Sequence, residues 1–274
     1  MKMRLKDGKL KVLTLSYDDG VVQDIRLIEI LNKYGIKATF NINSALYLAE
    51  DAQREKYYGR MKLSEAKALY TDSGHEVAVH AYTHPFLERL DTSEMIYEIV
   101  EDRKAIERDY GTLARGMAYP FGTYSDTVVD VLDKCGIAYS RTTRATLNFN
   151  FPENWLTLHP TCHHKHAELM NLAKRFVEEN NRYNHPEMFY LWGHSYEFDN
   201  DDNWDVIEHF AEYAGGHGHI WYATNIEVYD YVKAYERLQT SYDKKIIHNP
   251  TAIDLWFEHK GGVYCVKAGG TLKI

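Results

Sequence analysis

Apolar and β-branched runs alternate along the chain with segments whose apolar positions recur at helical spacing. Lys11–Tyr17 (KVLTLSY) reads as a buried strand that stops at Asp18-Asp19-Gly20. Val22–Tyr34 puts Ile25, Ile28, Leu31 and Tyr34 on one side of a helix and ends at Gly35. Ala38–Ile42 is a second strand, Ser64–Thr71 a short helix with Ser64 as its cap, and Glu76–His80 a third strand. Thr92–Tyr110 is a long amphipathic helix closed by Gly111. Met117–Tyr119 is a short strand running into a Pro-Phe-Gly turn, and Ser125–Cys135 a helix stopped by Gly136. Further strands fall at Ala138–Thr142, Leu156–Thr161, Met188–Trp192 and Ile220–Thr224, and further helices at about Ala167–Asn180, Trp204–Ala214 and Val228–Leu238.

Strands that alternate with helices in this way imply parallel β/α units. Seven or eight units favour a closed or partly closed barrel over an open sheet, so the expected fold is α/β, a distorted (β/α)7-8 barrel. Residues 1–240 form that barrel. Residues 241–274 carry short strands at Lys244–His248, Ile253–Glu258 and Gly262–Val266, with turns at Asn249-Pro250 and Gly261-Gly262. The tail has too little apolar content for a core of its own and reads as a β appendage packed on the barrel.

Composition narrows the partners. The 274 residues are 45% hydrophobic and 26% charged, enough to bury a core without disulfides or a structural metal. A net charge of −8 argues against nucleic acid and anionic lipid. No apolar run approaches the roughly 18–20 residues of a membrane helix. Met1–Leu10 is charged and lacks the apolar segment of a signal peptide, and Cys135, Cys162 and Cys265 are too scattered for a disulfide framework. The cytoplasm is the expected location, or secretion if a leader has been removed. Aromatics make up 14% of the chain, including 22 Tyr, which serves core packing and also suits a cleft that receives sugar faces.

The polar residues of interest lie at the carboxyl ends of predicted strands, the end at which β/α barrels place their active sites. His80-Ala-Tyr-Thr-His84 sets two imidazoles four residues apart, a spacing that can bring both to one metal ion. Asp18 and Asp19 end the first strand. Their side chains diverge, so one can ligate a metal while the other takes a proton from water. His194 follows the Met188–Trp192 strand. Two imidazoles and a carboxylate leave coordination positions open, as a catalytic metal requires. Zn²⁺ is the expected ion, with Co²⁺, Mn²⁺ or Ni²⁺ as alternatives.

Ser16-Tyr17-Asp18-Asp19-Gly20 resembles the T-F-D-D-G motif of the polysaccharide deacetylases, the NodB-like family of metal-dependent carbohydrate esterases. His80–His84 is similar to that family's H-[ST]-x-x-H, with Ala81 in place of Ser or Thr. Lys37-Ala-Thr-Phe40 resembles its K-A-T-F strand, Ala118-Tyr-Pro-Phe-Gly122 its R-x-P-[YF]-G, and Leu191-Trp-Gly-His194 its late L-x-H strand end. The order holds from residue 10 to about 225. The resemblance implies the family's barrel, with Asp19, His80 and His84 as metal ligands, Asp18 as general base and His194 as general acid. It places the Phe121 N–H, in the turn begun by Tyr119, at the oxyanion or substrate. The implied substrate is an N-acetylated saccharide; the oligomeric state is open.

Two departures qualify this. Ala118 stands where the family has an Arg that pairs with the base. Arg141, at the end of the neighbouring strand, is the expected substitute, because Arg115 precedes its strand. No Asp-x-x-Asp-Trp motif, which orients the catalytic His in the family, is present; Trp155 and the tract His159–His166 occupy its region. The tract is expected to hold solvated loop histidines rather than a second metal site, with His163 the one near a strand end. Two other readings remain: a hydrolase of a small ureide or imide on the same barrel, and a glycan-binding relative without catalysis. The intact Asp18, Asp19, His80, His84 and His194 set favours the deacetylase.

Overall fold

The computed structural model describes residues 1–53, 59–179 and 184–274. In chain order the elements are β1 (Lys2–Arg4), β2 (Lys11–Asp18), α1 (Asp24–Lys33), β3 (Ala38–Ile42), α2 (Leu63–Tyr70), β4 (Glu76–Val79) and α3 (Thr92–Tyr110). They continue as β5 (Gly116–Ala118), α4 (Asp126–Lys134), β6 (Tyr139–Arg141), β7 (Cys162–His163), α5 (Leu169–Glu178), β8 (Glu187–Gly193), α6 (Tyr196–Asn200) and α7 (Asp205–Ala214). The last are β9 (Ile220–Tyr222), α8 (Asn225–Glu236), β10 (Gln239–Thr240), β11 (Ile246–His248), β12 (Leu255–His259), β13 (Gly262–Val266) and β14 (Thr271–Lys273).

Eight parallel strands form one curled sheet in the order β6-β5-β4-β3-β2-β8-β7, with β9 also paired to β2. Since β8 runs beside Lys11 to Tyr17 on one edge of β2, β3 and β9 share the other: β3 at Leu15–Asp18 and β9 at Lys11–Leu13. A single parallel bridge from Arg141 to Leu158 links β6 to the segment leading into β7 and brings the two ends of the sheet together. The result is the α/β half-closed barrel that the strand–helix alternation implies.

β2 is buried along its whole length and shows how the sequence divides the two faces. Leu13, Leu15 and Tyr17 join Leu27, Leu31 and Phe210 in the core between sheet and helices. Thr14, Ser16 and Asp18 alternate with them and are satisfied across the barrel: Thr14 donates to Asn225, and the Asn41 amide donates to Ser16 and Asp18. Each fully buried Leu contributes about 1.5–3 kcal/mol relative to exposure, while the polar row needs every bond it makes. α3 has the predicted bounds. Asp91 accepts from the Ser93 and Glu94 N–H groups, and Gly111 ends the helix at φ 66°, which suits glycine.

Three expectations need correction. Leu156–Thr161 is not a strand: Trp155–Thr157 is a 3-10 turn started by the Asn154 side chain accepting from Leu156 N–H, Leu158 makes one bridge, and β7 begins only at Cys162. Pro160, with no N–H, cannot carry a ladder through the gap. Ser64 does not cap α2: the helix starts at Leu63, Glu65 closes on the Lys62 N–H, and the Ser64 hydroxyl donates to Glu50. The helix expected at Ala167–Asn180 spans Leu169–Glu178, and Asn180 lies outside the described residues.

The tail forms two antiparallel three-stranded sheets, β1-β12-β13 and β10-β11-β14. Each includes a strand from before residue 241: β1 pairs Met3 with Phe257, and β10 pairs Gln239 with His248. Tyr231 of α8 ties this layer to the barrel, donating to the Arg4 carbonyl and accepting from Trp256 N–H. No described helix is long and apolar enough to cross a membrane.

Candidate active site

Four strand ends deliver the polar residues to one face. Asp18 is the last residue of β2 and Arg141 the last of β6, while His80 and His194 directly follow β4 and β8. Beyond β2 and β4 the chain turns sharply. Asp19 (φ 86°), Ala81 (φ 61°) and His84 (φ 60°) all occupy the left-handed region. Such strain in non-glycine residues gathers at functional sites.

Asp19, His80 and His84 each present a ligand atom, and these lie within 4.8 Å of one another. Their hydrogen bonds suit a metal. His80 Nδ1 donates to the Ala118 carbonyl (2.7 Å), which leaves the Nε2 lone pair for an ion. Burial lowers the His80 pKa to about 4, so the ring is neutral, as a ligand must be. His84 is also shifted down by burial, against the pull of Asp19, whose Oδ1 is 3.9 Å from His84 Nε2. Asn43 donates to the His80 and Ala81 carbonyls and fixes this turn. Arg60, which the sequence does not mark, lies 3.1 Å from Asp19 Oδ1.

Asp18 is the centre of charge. It is 2% exposed, and its Oδ2 meets the Arg141 guanidinium directly. His80 Nε2 and His194 Nε2 each lie 3.8 Å from the same oxygen, and Asn41 donates to Oδ1 at 2.8 Å. Burial pushes this carboxyl upward, but Arg141, His80, His194 and the Asn41 bond outweigh it and hold the pKa at about 2. Arg141 is itself buried, with its guanidinium 4.2 Å from the Trp192 ring centre. Arg115, by contrast, pairs with Asp230 of α8, away from this cluster.

His194 faces Asp18 through Nε2 and Glu197 through Nδ1, which lies 3.3 Å from Glu197 Oε2. Burial lowers its pKa, yet Glu197, Asp18 and Asp19 outweigh that and leave it raised. The Phe121 ring packs against His84 (centroids 4.5 Å apart) and stacks on Phe86 at 3.8 Å, in a turn with φ 58°. Tyr119 differs from expectation. Its side chain is buried and its hydroxyl donates to the Leu156 carbonyl, so it packs beneath the turn rather than facing a ligand.

The histidine tract is not uniformly solvated. Pairing of β7 with β8 carries His163 and His164 to the strand end beside His194. His164 is 1% exposed, between the rings of Tyr17 and Phe198. His163 Nε2 and His164 Nε2 lie 3.1 and 3.4 Å from Glu197 Oε2, and these three residues could reach a common ion. The hydrogen bonds speak against a ligand role for His163. The Lys165 N–H donates to His163 Nδ1 (3.1 Å), so the neutral ring carries its proton on Nε2, aimed at Glu197. His163 is a donor to Glu197 there.

A family model for polysaccharide deacetylases matches residues 6–140. Chitin deacetylase 1 of Cryptococcus neoformans var. grubii is 27% identical over 146 residues, 51% of this chain and 28% of that protein. The peptidoglycan-N-acetylmuramic acid deacetylase of Bacillus subtilis is 28% identical over 122 residues, 44% of this chain and 23% of that protein. The chain thus spans less than a third of the curated relatives it matches. A solved Mycobacterium smegmatis protein assigned to the polysaccharide deacetylases shares the fold at TM-score 0.61 and 14% identity, over 86% of this chain and 95% of that one. The Xyl-CE4 domain of a termite-hindgut (Trinervitermes trinervoides) metagenome xylanase does so at TM-score 0.51 and 16% identity, over 82% and 92%. Residues 6–140 belong to the polysaccharide deacetylase family.

Proposed function

We propose that this chain is a metal-dependent N-deacetylase that hydrolyses the acetamide of an N-acetylated saccharide. The observation that carries the reading is the placement of one buried, ionised carboxylate, Asp18, between a fixed guanidinium and two imidazoles, beside a separate Asp19–His80–His84 donor set.

A first-row divalent ion held by Asp19, His80 and His84 would supply Lewis-acid polarisation of the acetyl carbonyl and of the attacking water. Asp18 Oδ2 accepts the proton that water loses as it attacks. Arg141 holds that carboxylate in place and keeps it ionised. The oxyanion forms in reach of the Phe121 N–H, the kind of preorganised backbone donor that stabilises developing charge. His194 Nε2 hands a proton to the amine nitrogen as the C–N bond breaks, because an amine cannot leave as an anion near neutral pH. Acetate and the free amino sugar result.

The test is product analysis with N-acetylglucosamine oligomers and the metal-loaded protein. Acetate and free amine should appear in equal amounts. Release of ammonia or a carbamoyl product from a ureide or imide, without acetate from the oligomers, would move the assignment to small C–N substrates. Binding of the oligomers with no product would make the chain a glycan binder.

A further inference from the structure

We propose that Glu197 is the positioning residue for His194, and that His163 and Lys165 in turn hold Glu197; this rests on the deacetylase reading above. His194 is fixed to one oxygen at two points. Its backbone N–H donates to Glu197 Oε2 at 3.2 Å, and its Nδ1 lies 3.3 Å from the same atom. A carboxylate only accepts, so Nδ1 carries the proton and Nε2 is the nitrogen that exchanges protons toward Asp18. In the opposite tautomer Nε2–H would belong to a neutral imidazole, too weak an acid to hand that proton to the amine.

Glu197 sits in the first turn of α6, three residues after His194, so a capping role is the competing explanation. The contacts from β7 go beyond a cap. His163 Nε2 is 3.1 Å from Oε2, and Lys165 Nζ is 3.1 Å from Oε1 and 2.6 Å from Asp201. His163 is poised to donate because Lys165 N–H occupies its Nδ1. Both partners come from a separate strand end, and neither is needed to cap a helix. Charged groups acting on His194 are Glu197, Asp18 and Asp19, and its ring is flanked by Tyr196, Trp192 and His163.

The experiment has two parts. A long-range ¹H–¹⁵N imidazole spectrum of the full chain, with His194 assigned by its loss in His194→Gln, reads the protonated nitrogen without any turnover. Neutral His194 should carry its proton on Nδ1; a proton on Nε2 overturns the proposal. In Glu197→Gln the oxygen that holds both the His194 backbone N–H and Nδ1–H becomes a neutral carbonyl, so the cap can persist while the charge that fixes the ring is lost. Turnover of an N-acetyl amide should fall about 100-fold, within the range a positioned proton donor supplies, with KM nearly unchanged. An activated aryl acetate, whose leaving group needs no proton, should lose less than about threefold. His163→Phe should give a smaller loss with the same amide bias. Equal losses on both substrates, or no loss on the amide, refute the positioning role. Failure of the wild type to release acetate from any N-acetylated saccharide would instead remove the deacetylase reading and leave the spectrum to report on the geometry.

Discussion

Replacing Arg141 with Met isolates the contact that compensates for the alanine at position 118. Met keeps much of the side-chain volume beside Trp192 and removes the charge, the bond to Asp18 and a long one to the Thr142 carbonyl. With Arg141 in place the Asp18 pKa sits at about 2, against an ordinary 3.8. Without it, the upward push of burial faces only His80, His194 and Asn41, and the carboxyl rises. The acid limb of kcat/KM for the metal-loaded enzyme should therefore move upward by about two units or more. Stability should fall too, because removing one partner of a buried pair costs about 3–5 kcal/mol. The pH dependence of that loss has a definite sign. A depressed carboxyl contributes stability above its unfolded pKa and loses it as pH falls through the folded one. Urea unfolding should thus show the largest gap between wild type and Arg141→Met above about pH 4, closing toward pH 2. A pH–rate profile that overlays the wild type, or a stability gap below about 1 kcal/mol at pH 7, would refute the pairing.

Three further outcomes follow from the same geometry. His80→Ala should abolish tight uptake of a divalent ion, read as metal per chain after dialysis; full occupancy would remove His80 from the ligand set. Gly193→Ala would set a Cβ 1.9 Å from His164 Nδ1, and His164 is too buried to yield. It should cost about 1–3 kcal/mol or more in urea unfolding; wild-type stability would show that the ring can move. Burial raises the Asp102 pKa from 3.8 to about 7, against its bonds from Ser44 and His80 N–H. Between those values the folded protein keeps a proton that the unfolded chain has lost, so this group's contribution falls as pH rises. The penalty of Asp102→Asn should accordingly shrink from pH 5 to pH 8, and a constant penalty would contradict the shift.

The barrel was legible because its signals are local and agree with one another. The Lys11–Tyr17 run, the cap and stop of Thr92–Tyr110, and the Gly136 boundary each mark an element without help from tertiary contacts. Strand ends then locate Asp18, Asp19, His80 and His194 on one face by topology alone. Arg141 could be selected over Arg115 by the same logic, since only the former ends a strand. What the sequence does not show depends on side chains meeting across segments. Glu197 follows His194 by three residues, a spacing too common to signal anything until β7 brings His163 and Lys165 onto it. Arg60 comes from an irregular stretch with no periodicity to place it. His164 looks like one more polar loop residue, and only pairing with β8 buries it. The Leu156–Thr161 error has the same root: the run is apolar enough for a strand, but Asn154 and Pro160 commit its ends elsewhere.

The proposed deacetylase requires Asp18 to act as a base beside, and not as part of, the metal-ligand set. Asp18→Asn measures this directly when metal content and turnover are read on the same sample. The predicted result is one ion per chain, as in the wild type, with acetate release from N-acetylglucosamine oligomers reduced by about 10²–10⁴-fold. Loss of the ion together with activity would make Asp18 a ligand, and near-normal turnover with the ion retained would leave the reaction without the base assigned to it.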